Sequence, residues 1–266
     1  MRPDVFEDLL IFLKEHFWVR PIGDLGPKDS DRPTAVLSFD DGYYDFLEFA
    51  LPLLRKYGFR ANMNIVPECV ITGRPIWNVR LYDFLAAASR KQIDYLHIPG
   101  LSITLKGESP SAKLRYGLQI SRFLKSRARR ERQAIWKSIE SVVEEFDGPS
   151  TRMMNANEVR QIAEFTDIGA HSYSHESMGY EETGFLENDL EQCQKFFSEE
   201  LSIKLDTYAF PNGSYRQEQV EYLLNNGVEL VLLVDEKFAK PGSQVLPRIT
   251  LYGGSRIEVI SKALNY

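Results

Sequence analysis

An apolar, β-branched run, Thr34-Ala-Val-Leu-Ser-Phe-Asp-Asp-Gly-Tyr43, stops abruptly at two carboxylates, Asp40 and Asp41; far downstream His171 and His175 lie four positions apart. Successive side chains on an extended segment point in opposite directions, so the adjacent aspartates can serve two tasks, one binding a cation and the other handling a proton. Gly42 then allows a sharp turn at positive φ. Histidines at i and i+4 can set their imidazoles on one side of a helical turn, close enough to hold a single divalent metal. The chain contains four histidines in all, so finding two with this spacing at a strand end is informative. In an α/β sheet the strand C-termini open onto one face, where Asp41, His171 and His175 would converge. Two imidazoles and one carboxylate leave a coordination position open for water, the catalytic rather than the structural arrangement for zinc.

The elements that must position these residues can be read from periodicity. Residues 5–17 form an amphipathic helix with Phe6, Leu9, Leu10, Phe12 and Leu13 on its apolar side. The Asp-Asp strand leads into a helix from about Asp45 to Tyr57 with Gly58 as its C′ residue, and Arg60–Val66 resumes a strand. Asn155-Ala-Asn-Glu158 has the pattern of a capping box and opens a helix to Phe165; Asp167–His171 is a short strand. Leu186, Leu190, Cys193 and Phe197 mark the next helix by their spacing. A strand Thr207–Phe210 ends in Pro211-Asn-Gly-Ser-Tyr215, helix Gln217–Asn226 stops at Gly227, and strands Val228–Val234 and Leu246–Leu251 precede a C-terminal helix. Strand and helix alternate at least five times, the signature of a barrel or an open wound sheet.

Residues 77–148 break this alternation and read as a mostly helical insertion beside the mouth of the sheet. A helix Trp77–Ala88 precedes a hairpin of Ile93–Ile98 and Leu101–Leu105 turning at Pro99-Gly100, and a long helical stretch runs from Ala112 to Phe146. Between Lys113 and Lys137 this stretch holds nine basic residues against one acid, Glu131. Such a run is either a solvated face or a surface for an anionic substrate.

At 266 residues and 43% hydrophobic content the chain can bury one large core, and 1–266 reads as one catalytic domain. A net charge of −6 argues against nucleic-acid binding. Cys69 and Cys193 lie far apart in ordinary segments, which suggests a reduced compartment or indifference to oxidation. The N-terminal run carries charges and shows no small-residue cleavage site, and no window reaches the length of a membrane span. The expectation is a soluble, cytoplasmic protein.

Phe39-Asp-Asp-Gly42 and His171-Ser-Tyr-Ser-His175, and less closely Phe210-Pro-Asn-Gly-Ser-Tyr215 and Leu246-Pro-Arg-Ile249, resemble the motifs of the polysaccharide deacetylases, carbohydrate esterase family 4, the NodB-homology domain. The resemblance spans roughly 34–76 and 150–251. It implies a distorted (β/α) barrel of fewer than eight repeats, with Asp41, His171 and His175 as metal ligands and Asp40 as general base. The implied reaction is hydrolysis of an N-acetyl, less often O-acetyl, group on a carbohydrate. The metal, zinc being expected, would polarise the carbonyl and acidify a water, and a backbone N–H in the loop of Pro211, Asn212, Gly213 and Tyr215 would help hold the oxyanion.

Two departures from the family pattern stand out. Where the family commonly has an arginine steadying the base, this chain reads Tyr208-Ala-Phe-Pro211, and Arg248 is the expected replacement partner of Asp40. No histidine follows His175, so the family's usual general acid is missing. The proton for the leaving amine must come from Asp40 acting twice, from the insertion, or not at all. His97 in the insertion reads as a packing residue, and Asp235 at a strand end as a group that orients a neighbour. Two alternatives stay open: a carbohydrate-binding protein that has lost catalysis on this scaffold, and a metal amidase for a non-sugar substrate.

Overall fold

Six parallel strands stand side by side in the order in which the chain makes them: β3 (Ser38–Asp41), β4 (Ala61–Ile65), β5 (Thr166–Ala170), β6 (Thr207–Ala209), β7 (Leu230–Leu233) and β8 (Val245–Pro247). The structure, a computed structural model, describes residues 1–25, 31–182 and 184–266. Parallel neighbours need crossovers, and right-handed crossovers that never reverse strand order curl a sheet in one direction. A wound open sheet would show a reversal; this one is a curled half-barrel, an incomplete and distorted (β/α) barrel.

The run Thr34–Tyr43 is not one strand. Its first part pairs elsewhere: β2 (Thr34–Ala35) lies parallel to β1 (Trp18–Val19) in a separate two-stranded sheet, and only Ser38–Asp41 joins the barrel. The division has a packing cause. Ile22, with Leu25 and Val36, covers Ala209, Leu232 and Leu246 on β6–β8, so the segment around β1 and β2 fills that side of the barrel. On β3 and β4 the residues one position away from the apolar Phe39 and Met63 are polar: Ser38, Asp40, Asn62 and Asn64. The period of two that separates faces of a strand therefore separates a dry layer under the helices from a polar patch.

The helices α1 (Pro3–His16), α2 (Leu51–Tyr57), α9 (Ala156–Ala163), α10 (Phe185–Phe196), α11 (Gln217–Asn225) and α12 (Arg256–Ala263) surround the sheet. A π-helical turn, Phe46–Ala50, precedes α2, which ends at Gly58 with φ 72°. Asn155 and Glu158 form the expected capping box of α9. On α10 the stripe Leu186, Leu190, Cys193 and Phe196 is buried against the sheet, each large apolar side chain contributing about 1.5–3 kcal/mol by burial.

Residues 67–148 hold α3 (Pro67–Thr72), α4 (Trp77–Ala87), α5 (Arg90–Ile93), α6 (Pro110–Lys125), α7 (Arg129–Trp136) and α8 (Glu140–Glu144) around a second apolar cluster that includes Trp77, Leu81, Phe84, Ile120 and Trp136. The expected hairpin does not form. Ser89 and Gln92 make a capping box that takes Ile93 into α5, and Leu96, Ile98 and Leu105 anchor an irregular segment to the cluster. The single long helix is also corrected: it breaks between Lys125 and Arg129, where Ala128 is extended (φ −59°, ψ 151°), and again after Trp136. The last strand ends at Pro247, four residues earlier than read from Leu246–Leu251.

Candidate metal centre

Asp41 Oδ1 lies 3.6 Å from His171 Nε2 and 3.4 Å from His175 Nε2. The chain brings them together from the end of β3, the residue after β5 and the loop beyond it. Unlike the expected arrangement, the two histidines do not share a helical turn: Ser172 and His175 have φ of 60° and 59°, and Asp41 has φ 77°. Left-handed backbone at non-glycine residues costs on the order of 1–2 kcal/mol each, and it concentrates here as strain does at functional sites. Gly42 (φ 83°) follows immediately, with its α-carbon so close to Ile65 that a Cβ would sit 3.3 Å from Ile65 Cγ2. Gly169 on β5 is required for a different reason: a Cβ there would collide with Asn64 Oδ1 at 2.3 Å.

Several hydrogen bonds fix the loop. His171 Nδ1 donates to the Ala209 carbonyl at 2.9 Å, which leaves Nε2 with its lone pair toward Asp41 when the ring is neutral. Asp189, buried on α10, accepts from Ser172 Oγ at 2.7 Å, from the Tyr173 N–H at 2.9 Å and from Tyr208 Oη at 2.7 Å. Ser172 Oγ in turn accepts from the Glu176 N–H at 3.1 Å. One carboxylate thus holds the backbone between the two histidines. Burial pushes the Asp189 carboxyl up to about 6, and the hydrogen bonds from Ser172, Tyr208 and Tyr173 limit the rise.

The donor set fits a divalent cation. Among the described residues nothing donates a hydrogen bond to the buried Asp41 Oδ1, and burial together with the Asp40 charge raises the carboxyl despite the opposing pull of His171. Burial holds the His175 imidazole well below its usual value, with the charges of His171, Lys125 and Arg132 adding to the effect, so the ring is neutral, the form that ligates. A cation held by Asp41 Oδ1, His171 Nε2 and His175 Nε2 would satisfy all three at once. The separations also match: bonds of about 2.0–2.2 Å to a tetrahedral ion place ligand atoms roughly 3.3–3.6 Å apart. All three ligand atoms lie within 4.8 Å of one another.

Asp40 is turned to another task. Arg248, directly after β8, grips it with two parallel bonds, Nη1 to Oδ1 at 2.8 Å and Nη2 to Oδ2 at 2.9 Å, and Asn64 Nδ2 donates to Oδ1 at 2.8 Å. Arg248 Nη1 also reaches Ser38 Oγ at 3.0 Å, and Ser38 donates to Asn62 Oδ1 at 2.8 Å. Burial would raise the Asp40 carboxyl, but the His171 and Arg248 charges and the bonds from Arg248 and Asn64 hold it well below the usual carboxylate range. Its Oδ2 faces the centre, 3.9 Å from His171 Nε2.

The loop Pro211–Gly213 is a single 3₁₀ turn beginning two residues after Ala209, with Asn212 at φ 59°. Asn212 Nδ2 donates to Ser177 Oγ at 3.0 Å and Tyr215 Oη to Asp235 at 3.2 Å, so Asp235 does orient a neighbour. His97 is exposed rather than packed. Of the residues around the centre, Asn62, Asn64, Ser38 and Asp189 are not singled out by sequence reasoning. The signal for the asparagines was present: two polar residues two positions apart on a strand otherwise apolar.

The fold and centre define the class, an incomplete (β/α) barrel with an Asp-His-His cluster at the strand ends. The model of the polysaccharide deacetylase family matches residues 128–231, which include both histidines and the Pro211–Tyr215 loop but neither aspartate. Among solved structures the chain is similar to IcaB from Ammonifex degensii (14% identity, TM-score 0.62, covering 99% of this chain and 89% of that one). It is also similar to the Streptococcus pyogenes deacetylase PplD in complex with acetate (14%, TM-score 0.61, 98% and 86%). A third is a de-N-acetylase from Aggregatibacter actinomycetemcomitans (14%, TM-score 0.58, 96% and 87%). No curated protein matches the chain. The partial match to this family's model and the likeness of fold agree with the resemblance that its motifs carry.

Proposed function

We propose that the chain is a metal-dependent hydrolase that removes an acetyl group from an N-acetylated sugar, borne on a glycan, a sugar nucleotide or a lipid-linked oligosaccharide. The observation that carries this reading is the unpaired Asp41 Oδ1 between two imidazole nitrogens, with Asp40 ionised beside it. Asp41, His171 and His175 would hold the ion, zinc by the chemistry of the donor set. When bound it supplies a Lewis acid for the acetyl carbonyl and lowers the pKa of water. Asp40 Oδ2 is the atom that takes the water's proton. Arg248 and Asn64 keep the carboxylate ionised and aimed while leaving Oδ2 with a free lone pair. The Pro211–Tyr215 loop, stiffened by Ser177 and Asp235, would position the sugar and the developing oxyanion.

The fold neighbours PplD, solved with acetate, and the Aggregatibacter de-N-acetylase lend the reaction type its support. A cytoplasmic site of action and a single catalytic unit over 1–266 are part of the same proposal, resting on the composition and on the absence of a membrane-crossing helix among the described residues. The test is elemental analysis of protein purified without chelator, followed by acetate release from a panel of N-acetylated sugar nucleotides and oligosaccharides. Metal in stoichiometric amount with acetate release is expected; a metal-free protein inert toward the whole panel after zinc addition would sink the reading.

A further inference from the structure

The two histidines of the centre are held differently. The ring of His171 is tethered through Nδ1 to the Ala209 carbonyl at 2.9 Å. The Nδ1 of His175 is buried and, among the described residues, has no hydrogen-bond partner. Imidazoles that ligate a metal almost always anchor their second ring nitrogen, so His175 depends more heavily on the backbone that carries it. That backbone is strained: His175 has φ 59°, and such a conformation persists only where its surroundings over-determine it.

The residues on both sides of His175 are gripped by the insertion. Glu176 is buried and takes two parallel bonds from Arg132 on α7, at 2.6 and 2.7 Å. Ser174 Oγ accepts from the Arg129 guanidinium and donates to Glu176 Oε1 at 3.2 Å. Arg129 also reaches Glu68 Oε1 at 3.2 Å, and the Glu68 N–H donates to the Tyr173 carbonyl at 2.9 Å. Beyond the loop, the Arg129 N–H donates to Glu181 Oε1 at 2.6 Å. Asp189, by contrast, holds the upstream half through Ser172 Oγ and the Tyr173 N–H. A forked guanidinium on a buried carboxylate fixes direction as well as distance.

We infer that Arg132 and Arg129 are positioning residues for the metal ligand His175, acting through Glu176 and Ser174, so that the helical insertion is part of the metal centre. The inference rests on the metal-binding reading of Asp41, His171 and His175 above, and not on the identity of the substrate. Both arginines belong to the basic run between Lys113 and Lys137, and their inward pairing gives that part of the run a role other than a solvated face or a surface for an anionic substrate. A shift of α7 would move His175 while leaving His171 on Ala209.

The experiment measures zinc affinity by competition with a chromophoric chelator, and the visible spectrum of the cobalt(II)-loaded protein, which follows the number and placement of ligands. The proteins are wild type, Arg129→Met, Arg132→Met, and Arg132→Met with Glu176→Leu, each at a temperature where its metal-free form is folded; urea unfolding of the metal-free forms is measured in parallel. Zinc binding about 10–100-fold weaker than in wild type is expected in Arg132→Met and in the double variant, with a changed cobalt spectrum in both. Arg129→Met leaves the Arg132–Glu176 pair in place, should weaken zinc about 10-fold, and carries the test if Arg132→Met does not fold. The double variant separates positioning from scaffolding, because removing both buried charges restores part of the stability lost in Arg132→Met. Zinc affinity that recovers along with stability there would mark the pair as scaffolding and overturn the inference. Zinc affinity and cobalt spectra equal to wild type in the single variants would overturn it as well. A wild-type chain that binds neither zinc nor cobalt would instead sink the metal reading itself and this inference with it.

Discussion

Arg248 joins the last strand of the barrel to the first: its guanidinium closes on Asp40, 208 positions earlier in the chain, with bonds of 2.8 and 2.9 Å. Among the described residues no backbone pairing links β3 to β8, so this contact bridges the open side of the half-barrel at the level of the Asp-His-His cluster. Asp40→Asn is expected to keep the metal and lose about 100-fold or more in kcat, since the amide cannot take a proton. Equal activity in that variant would remove Asp40 as the base.

The same pair governs the acid limb of the pH profile. With Arg248 present the Asp40 carboxyl lies well below the usual range, so it remains ionised down to strongly acid pH, and the contribution of its ionised form is lost only there. Arg248→Met removes the charge while burial remains, so the limb should move upward toward neutral pH. Profiles of kcat/KM for the two proteins check this, and coincident acid limbs would refute the assignment.

Removal of a ligand has a direct readout. His171→Ala, His175→Ala and Asp41→Asn are each expected to lower metal content measured by mass spectrometry, with zinc affinity falling at least about 100-fold. Asparagine is the informative substitution at Asp41, because it tolerates the left-handed φ of 77° where alanine would add strain. Unchanged metal content in all three would defeat the ligand set.

Asp189 links the loop to stability with a definite sign. Between its ordinary value of 3.8 and about 6 the folded chain holds more proton at this site than the unfolded chain. Its contribution therefore makes the fold less stable as pH rises through that window, by about 3 kcal/mol in all. Asp189→Asn removes this dependence but supplies one acceptor oxygen for three donors, so the variant should be less stable overall and bind zinc about 10–100-fold more weakly. Thermal unfolding of both proteins from pH 4 to 7 measures the first effect, and parallel curves would contradict it.

What was legible in the sequence was local. Gly42, Gly58 and the Asn155 box announce their own geometry, because a positive φ or a capped N-terminus leaves a residue signature. The convergence of Asp41, His171 and His175 was legible because few residue types could hold a metal and the strand ends share a face. The hairpin was misread because alternating apolar residues at 93–105 serve an irregular segment pressed on a helical core as well as they would a strand. The break after Lys125 was hidden for a similar reason. Nothing between Ser126 and Ala128 forbids helix; partners some 45 residues later, Ser174 and Glu176, decide the path. Long-range polar pairing of this kind has no local period.

That pairing gives the last prediction. Arg132 and Glu176 are 7% and 1% exposed and meet through two bonds of 2.6 and 2.7 Å, with Arg129 Nε a further 3.7 Å away. Removing one member of a buried pair strands the other charge, at a cost of about 3–5 kcal/mol; here Arg129 offsets part of it, so about 3 kcal/mol is expected for Arg132→Met. Removing both charges is less harmful than the sum, because neither is left uncompensated. Arg132→Met with Glu176→Leu should therefore be more stable than Arg132→Met alone, despite carrying one more substitution. Urea unfolding of the four proteins of the cycle, at constant m, measures the coupling. Additive losses would mean that the Arg132–Glu176 pair does not help hold α7 over the histidine loop.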